Sequence, residues 1–353
     1  MAPLTEPLTL SIDAMGGDKA PGMVVEGIEA SLEGPRQVKF LLFGDEAKLS
    51  PLLESHPKVA QVSEIRHTED VISNEEKAGV ALRAGRNSSM RLAINAVSGG
   101  ETAGVISAGN TGALMAMAKF VLKTLPGIGR PAIAAYYPTR RGESVMLDLG
   151  ANVDCDADNL VQFAVMGEVF ARNVLGLDQP SIGILNIGAE NLKGNEAVQK
   201  AATILQDSSL PIKFYGFVEG DDIGAGTVDV VVTDGFTGNI ALKTAEGTAN
   251  LFGDFLKQAL TESPMAMLGA FLARPALKKF KMRIDPRRYN GAMFLGLNGI
   301  CIKSHGSTDA IGFANAIHVA VELIENSFNE HIKEDYEQLS GHAPDLKRVV
   351  GGE

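Results

Sequence analysis

Short apolar runs alternate with amphipathic, helix-length segments along most of the chain. Leu8–Ile12, Val38–Phe43, Val62–Arg66, Ala103–Ser107, Ile182–Leu185 and Val228–Val232 have the length and β-branched content of strands. Helices are predicted between them at Pro21–Leu32, Glu46–Leu53, Ser88–Val97, Ala113–Leu122, Asp158–Leu175, Ala197–Leu205 and Ile240–Leu260, with a last one at Ala310–Phe328. Ser73–Gly85 carries a helix-like charge pattern. Pro131–Tyr137 and Ser144–Leu149 read as two strands joined by the polar turn Pro138–Gly142, and Ala292–Leu297 and Ile300–Lys303 as two more. This alternation predicts an α/β fold with a doubly wound, largely parallel sheet. No Pro/Ser linker divides the chain, so residues 1–335 read as one α/β catalytic unit or two intimately joined lobes, followed by a polar tail over 336–353.

Five connections share one pattern: an apolar strand, small polar residues with glycines, then a helix. They are Asp13–Asp18 with Gly16 and Gly17, Gly109–Gly112 with Asn110 and Thr111, Gly188–Gly194 within the stretch Asn186–Glu196, Asp234–Asn239 with Gly235 and Gly238, and His305–Ser307 with Gly306. In an open parallel sheet such turns converge outside the carboxyl ends of the strands, where ligands collect. A glycine-bearing turn entering a helix offers free backbone N–H groups and a positive helix end, which suits an anion. In Asn186–Glu196 that arrangement is joined by Gly188, Glu190, Lys193 and Gly194, so a cation accompanies the dipole. Taken singly, each turn is also what any strand-to-helix connection would use. Taken together they predict one composite phosphate cradle.

Composition narrows the chemistry. A net charge of −11 over 353 residues argues against a general nucleic-acid binder, which needs a basic face. Two cysteines, Cys155 and Cys301, cannot form a disulfide framework and fit a reducing compartment. Met1–Pro7 lacks the basic and apolar regions of a secretory signal, and no run reaches the ~18–20 apolar residues that span a bilayer. A cytoplasmic protein is expected. The histidines lack metal-ligand spacing, and no metal or cofactor is expected. Neither Gly-x-x-x-x-Gly-Lys-Ser/Thr nor Gly-x-Gly-x-x-Gly follows a strand, and no Gly-x-Ser-x-Gly elbow is present.

Residues 263–290 break the alternation. Met265–Leu272 is apolar, with Met267, Leu268, Phe271 and Leu272, and seven basic residues including Lys278, Lys279, Lys281 and Arg283 follow against a single acid, Asp285. A protruding amphipathic helical insertion is predicted. Its composition fits a membrane surface, an acidic partner, or an apolar face packed in a dimer core.

Several of these stretches together resemble the PlsX family of phosphate acyltransferases. They are Asp13–Asp18, Ser107–Ala113, Leu147–Asn152, Leu185–Glu190 with Lys193–Glu196, Asp234–Asn239 and His305–Ser307, in order along nearly the whole chain. The resemblance implies a fold similar to phosphotransacetylases and isocitrate/isopropylmalate dehydrogenases, and a homodimer. It implies transfer of a fatty acyl group from acyl carrier protein to orthophosphate for phospholipid synthesis, at the inner face of the membrane as a peripheral protein.

The residues are compatible with that chemistry. Orthophosphate is already anionic and the leaving thiol has a pKa near ~8.5, so positioning and oxyanion stabilisation are the main demands. Lys193 is expected to hold phosphate or polarise the carbonyl, with Asn239 and Asn186 as neutral donors and the 13–18 and 110–112 turns as the pocket floor. The alternatives are an NAD(P)-dependent hydroxyacid dehydrogenase of related fold and a non-enzymatic membrane scaffold.

Overall fold

The computed structural model describes residues 8–33, 36–208 and 210–334; the 336–353 tail and Met1–Pro7 lie outside them. Among the described residues, eleven strands form one sheet. In chain order they are β1 Leu8–Asp13, β2 Val38–Gly44, β3 Ser63–His67, β4 Gly104–Ser107, β5 Ala132–Thr139, β6 Gly142–Leu147, β7 Ser181–Leu185, β8 Lys213–Val218, β9 Val230–Val232, β10 Ala292–Leu295 and β11 Ile300–Lys303. Across the sheet the order is β3-β2-β1-β4-β11-β10-β5-β6-β9-β7-β8.

Seven of the ten pairings are parallel, so the sheet is largely parallel as expected. The three antiparallel pairings sit together in the middle, where β10 lies between β11 and β5, and β5 turns back into β6. They reverse the sheet's polarity. Strands β1–β5 and β11 run one way and β6–β10 the other. The carboxyl ends of the two halves therefore face opposite ends of the sheet.

Side-chain alternation along the strands builds a core on each face. Leu10, Ile12, Phe40 and Leu42 join the layer of the helices Gly22–Ser31, Ala157–Leu175 and Ala310–Glu325. Leu41, Phe43, Val105 and Cys301 join that of Ser89–Ser98 and Thr111–Leu122. The Ala157–Leu175 helix is buried over most of its length and starts at Asp156, which accepts from Asn159 N at 2.8 Å.

Some elements depart from expectation. β8 and the short helix Gly220–Ala225 carry no clear apolar period, because β8 is an edge strand with a register shift opposite Ile182/Gly183. The helix predicted over Ser73–Gly85 is confined to Ala78–Ala84, since the backbone before it is used to receive Asn110.

Candidate active site: two clusters of strand-end turns

The five turns do not gather into the single cradle expected from the sequence. Those after β1, β4 and β11 meet at one end of the sheet, and those after β7 and β9 at the other, joined there by the loop after β6. The physical reason is the polarity reversal at β10–β5–β6.

The first cluster holds Asp13, Gly16, Gly17, Asp18, Asn110, Thr111, Gly112, His305, Gly306 and Ser307. Asp13 is buried at the end of β1. Its two carboxylate oxygens accept from Ser89 Oγ at 2.6 Å and Ser107 Oγ at 2.7 Å. Burial pushes the Asp13 carboxyl up, against those hydroxyls and the nearby Lys303 charge. Asp18 N donates to Gly306 O at 2.9 Å, which ties the β1 and β11 turns together. Asn110 is a structural residue: Oδ1 caps the Thr111–Leu122 helix through Ala113 N, and Nδ2 lies 2.9–3.2 Å from the carbonyls of Ser73, Asn74 and Glu76. Asn110→Ala should therefore cost about 1–2 kcal/mol of folding free energy, read from the denaturant midpoint. His305 and Ser307 remain exposed, with Ser307 Oγ 3.0 Å from His305 Nδ1.

Lys303, which the apolar pattern marks only as the last residue of a strand, lies beneath these turns. It is nine-tenths buried and donates to Ala108 O at 3.3 Å and to Ser304 O. Burial lowers its pKa to about 8, while Asp13, Asp18 and Cys301 pull the other way. In the unfolded chain a lysine keeps its proton to about pH 10.4. Between those values the unfolded state holds more protons, so folding stability rises with pH there and is unaffected below. Lys303→Met should abolish this rise between about pH 8 and pH 10 in denaturant titrations; an unchanged profile would contradict the buried charge.

The second cluster holds Asn186, Gly188, Glu190, Lys193, Gly194, Asp234, Gly235, Gly238 and Asn239. Its anchor is Asp148, also unforeseen. Fully buried, it accepts from Ile133 N, Gly150 N and Ala151 N on Oδ1, and from Asn152 N and Nδ2 on Oδ2, at 2.7–3.1 Å. The first turn of the helix Gly235–Thr261 lies directly on this loop: Gly235 N donates to Asn152 O at 2.7 Å, and any side chain at Gly238 would collide with Asp148 O. That contact explains both glycines. Asp234 caps the helix, accepting from Thr237 N and Oγ1 at 2.8 Å each. Asn239 Nδ2 donates to Leu149 O at 3.0 Å, and its other N–H has no partner among the described residues.

Asn186 does not fit its expected part as a donor. Both N–H groups of its amide are used, on Gly188 O and Lys193 O at 3.1 Å, and they fold the 186–194 loop. Gly194 has φ +91°, and a side chain there would strike Asn186 Oδ1. Lys193 and Glu190 are exposed, and the Lys193 ammonium has no partner among the described residues. Asn195 caps the following helix, Glu196–Asp207, through Val198 N at 2.9 Å.

The insertion forms the exposed helices Pro264–Leu272 and Arg274–Ile284. Met267, Leu268, Phe271 and Leu272 are exposed, as are Lys278 and Lys279; the side chains of Lys281 and Arg283 lie outside the described residues. The chain rejoins the body beside the first cluster through Pro286–Tyr289. There Arg287 pairs with Asp285 at 2.6 Å and Asp309 at 2.9 Å, and Asn290 Nδ2 donates to Ser304 Oγ at 2.8 Å. No described helix is long and apolar enough to cross a membrane, and no described group of three or more His, Cys, Asp or Glu residues is placed to hold a metal ion.

A family model described as fatty acid synthesis protein matches residues 8–331. A protein of Paramagnetospirillum magneticum named phosphate acyltransferase is 61% identical over 332 residues, covering 94% of this chain and 95% of that protein. One of the same name from Rhodospirillum centenum is 61% identical over 336 residues, covering 95% of each. Among solved structures, a phosphotransacetylase from Streptococcus pyogenes superposes with a TM-score of 0.58 at 19% identity, over 91% of this chain and 95% of that one. A putative 4-hydroxythreonine-4-phosphate dehydrogenase from Salmonella typhimurium gives 0.52 at 14% identity, over 90% and 100%. These two likenesses establish the fold.

Proposed function

The chain belongs to the fatty acid synthesis protein family and is an acyltransferase that passes an acyl group to phosphate, and on that premise we propose that acyl carrier protein is the donor and that Lys193 and Asn239 line the reacting centre. The observation that carries the residue assignment is the exposed ammonium of Lys193, without a partner among the described residues, on the turn after β7, together with Asn239 after the adjacent strand β9, whose amide uses one N–H among the described residues, on Leu149 O. An oxygen of orthophosphate attacks the thioester carbonyl carbon, the carbon–sulfur bond breaks, and the sulfur leaves with the electron pair and takes up a proton. Lys193 holds the anion against the carbonyl, and the Asn239 amide donates to the developing oxyanion. The test is direct: acylated carrier protein and phosphate should yield acyl phosphate and free thiol in equal amounts.

The basic, apolar insertion suits two further roles in this reading. Its cations attract an acidic carrier protein that a net charge of −11 would otherwise repel. Its exposed apolar side chains suit peripheral contact with a membrane, where the product would be consumed. Phe271→Glu with Leu272→Glu should lower sedimentation with anionic vesicles at least tenfold and leave turnover with soluble carrier protein unchanged. Lys278→Glu with Lys279→Glu should raise the KM for the carrier protein; unaltered vesicle binding and KM in both double variants would remove the insertion from either role.

A further inference from the structure

We propose that the outer face of the packed helices Ala78–Ala84, Ser89–Ser98 and Thr111–Leu122 is the seat of the acidic carrier protein, held by Arg86, Arg91 and Lys123 around Phe120. The proposal rests on the reading of a carrier protein as the acyl donor. It gives a role to a part of the chain that neither the strand-end turns nor the insertion uses.

Residues 77–130 carry seven lysines and arginines against one acid, Glu101, in a chain whose net charge is −11. That acid faces Arg66, 3.6 Å from its Nη2. Arg83, Arg86, Lys119 and Lys123 are exposed, and Arg91 is half-exposed. None of the five pairs with a carboxylate among the described residues, whereas Arg36, Arg66, Arg172 and Arg287 each hold one. An acidic chain offers its exposed cations many carboxylates. A face of cations that takes none is matched to negative charge from outside the chain.

Among these cations lies Phe120, 62% exposed, with the Arg91 guanidinium 5.1 Å from its ring centroid. Arg91 Nε donates to Asn95 Oδ1 at 3.2 Å, which holds the guanidinium in place over the ring. Burial, and after it the charge of Arg86, lower the Arg91 pKa, so two like charges stand together here. An aromatic side chain among arginines has the composition of the centre of a protein interface. Arginine also meets carboxylates through paired N–H groups, which suits a partner whose charge is Asp and Glu. A membrane surface asks for a broad apolar face as well as cations. The insertion has one in Met267, Leu268, Phe271 and Leu272; over residues 77–130 the large exposed apolar side chains are Phe120 and Val80.

The face leads to the reacting centre. The helix Thr111–Leu122 starts at the carboxyl end of β4 and returns to the opposite end of the sheet, where the second cluster lies. There Lys119 Nζ donates to Gly129 O at 2.9 Å, Arg130 Nη1 to Asp154 O at 3.3 Å and Ile133 N to Asp148 Oδ1 at 3.0 Å. These bonds join the end of the helix to the 148–154 loop, whose Leu149 O receives Asn239. A carrier protein seated on Phe120 thus brings its thioester arm to the sheet end that holds Lys193 and Asn239. The cations of the insertion act on encounter, and those around Phe120 act in the docked complex.

Arg86→Glu with Lys123→Glu reverses charge at two exposed positions and leaves the Arg91–Phe120 pair in place. It should raise the KM for acylated carrier protein at least about tenfold and keep kcat within about twofold, with turnover of acyl-pantetheine, a donor free of the carrier, as in the wild type. Phe120→Ser should raise the same KM with no change of charge. In about 0.5 M salt, where the screening length falls below about 5 Å, the gap between the charge-reversed variant and the wild type should close, and that of Phe120→Ser should remain.

Anisotropy of a fluorescently labelled carrier protein makes the same comparison without turnover. An unchanged Kd in the charge-reversed variant overturns the docking surface, and so does an equal loss of turnover with acyl-pantetheine. Loss of anionic-vesicle binding with an unchanged Kd for the carrier assigns the face to lipid and overturns it as well. If the wild type binds the carrier through this face and takes no acyl group from it, the donor reading fails and the docking surface stands. If the wild type uses the acylated carrier and both variants do so equally well, the docking surface fails and the donor reading stands.

Discussion

Lys193→Ala should reduce acyl phosphate formation by about a hundred- to a thousandfold, with a denaturant midpoint and circular dichroism spectrum like those of the wild type. The two halves of that expectation have separate physical grounds. The side chain is exposed and its ammonium is unpartnered among the described residues, so truncation leaves no buried group unsatisfied. What holds the 186–194 loop is backbone and amide: Asn186 Nδ2 on Gly188 O and Lys193 O, and Gln199 Nε2 on Leu192 O and Gly194 O at 3.1 Å. None of these needs the lysine side chain. The lost charge, by contrast, would be the one that brings phosphate to the carbonyl, and a donor aimed at developing charge is worth about 2.7–4 kcal/mol. Lys193→Arg keeps the charge with different geometry and should recover only part of the loss. Turnover of Lys193→Ala within threefold of wild type would exclude it from the chemistry.

Asn186→Ala makes the internal control, because the two asparagines look alike in the sequence. Each stands beside a glycine-bearing turn at the end of an apolar strand, and nothing in their neighbours tells a free amide from a spent one. The structure separates them: Asn186 binds its own loop twice, and Asn239 has one N–H without a partner among the described residues. Asn186→Ala should therefore lower stability as well as activity, and Asn239→Ala activity above all.

The same limit explains what else the sequence concealed. Apolar periodicity located nearly every strand and helix, since burial on one or both faces is written directly in the order of side chains. It says nothing of strand direction. The reversal at β10–β5–β6 depends on how three short strands pair, through contacts such as Met293 with Ala134 that no local pattern encodes. The sequence pattern therefore predicts one cradle where the fold makes two clusters. Lys303 was hidden for a related reason: a lysine after Ile300-Cys301-Ile302 looks like a strand edge meeting solvent, and only the turn holding Ala108 above it makes it buried. Asp148 stands in the sequence as one residue of the Leu147–Asn152 stretch, and only the folded loop shows that it organises the backbone on which Asn239 depends.

Asp148→Ala should be the most destabilising of the substitutions considered, by at least about 4 kcal/mol. The carboxylate receives five N–H groups, from Ile133, Gly150, Ala151 and both the backbone and side chain of Asn152. Each donor left unpaired in the core costs about 1–3 kcal/mol, and incomplete relaxation of the loop keeps the sum from being additive. Asp148→Asn retains the Oδ1 acceptor for three of those donors but sets an NH2 group against the two from Asn152, so its loss should be smaller. The effect should reach the site, because Gly235 N rests on Asn152 O and Asn239 Nδ2 on Leu149 O, both carbonyls of this loop. A partly stable Asp148→Asn enzyme should thus show a turnover deficit that addition of phosphate does not repair. Urea midpoints for the three proteins, with turnover at saturating phosphate, decide it: a loss below about 1 kcal/mol for Asp148→Ala would mean that the loop holds its shape through its contacts with Gly235, Gly238 and Asn239.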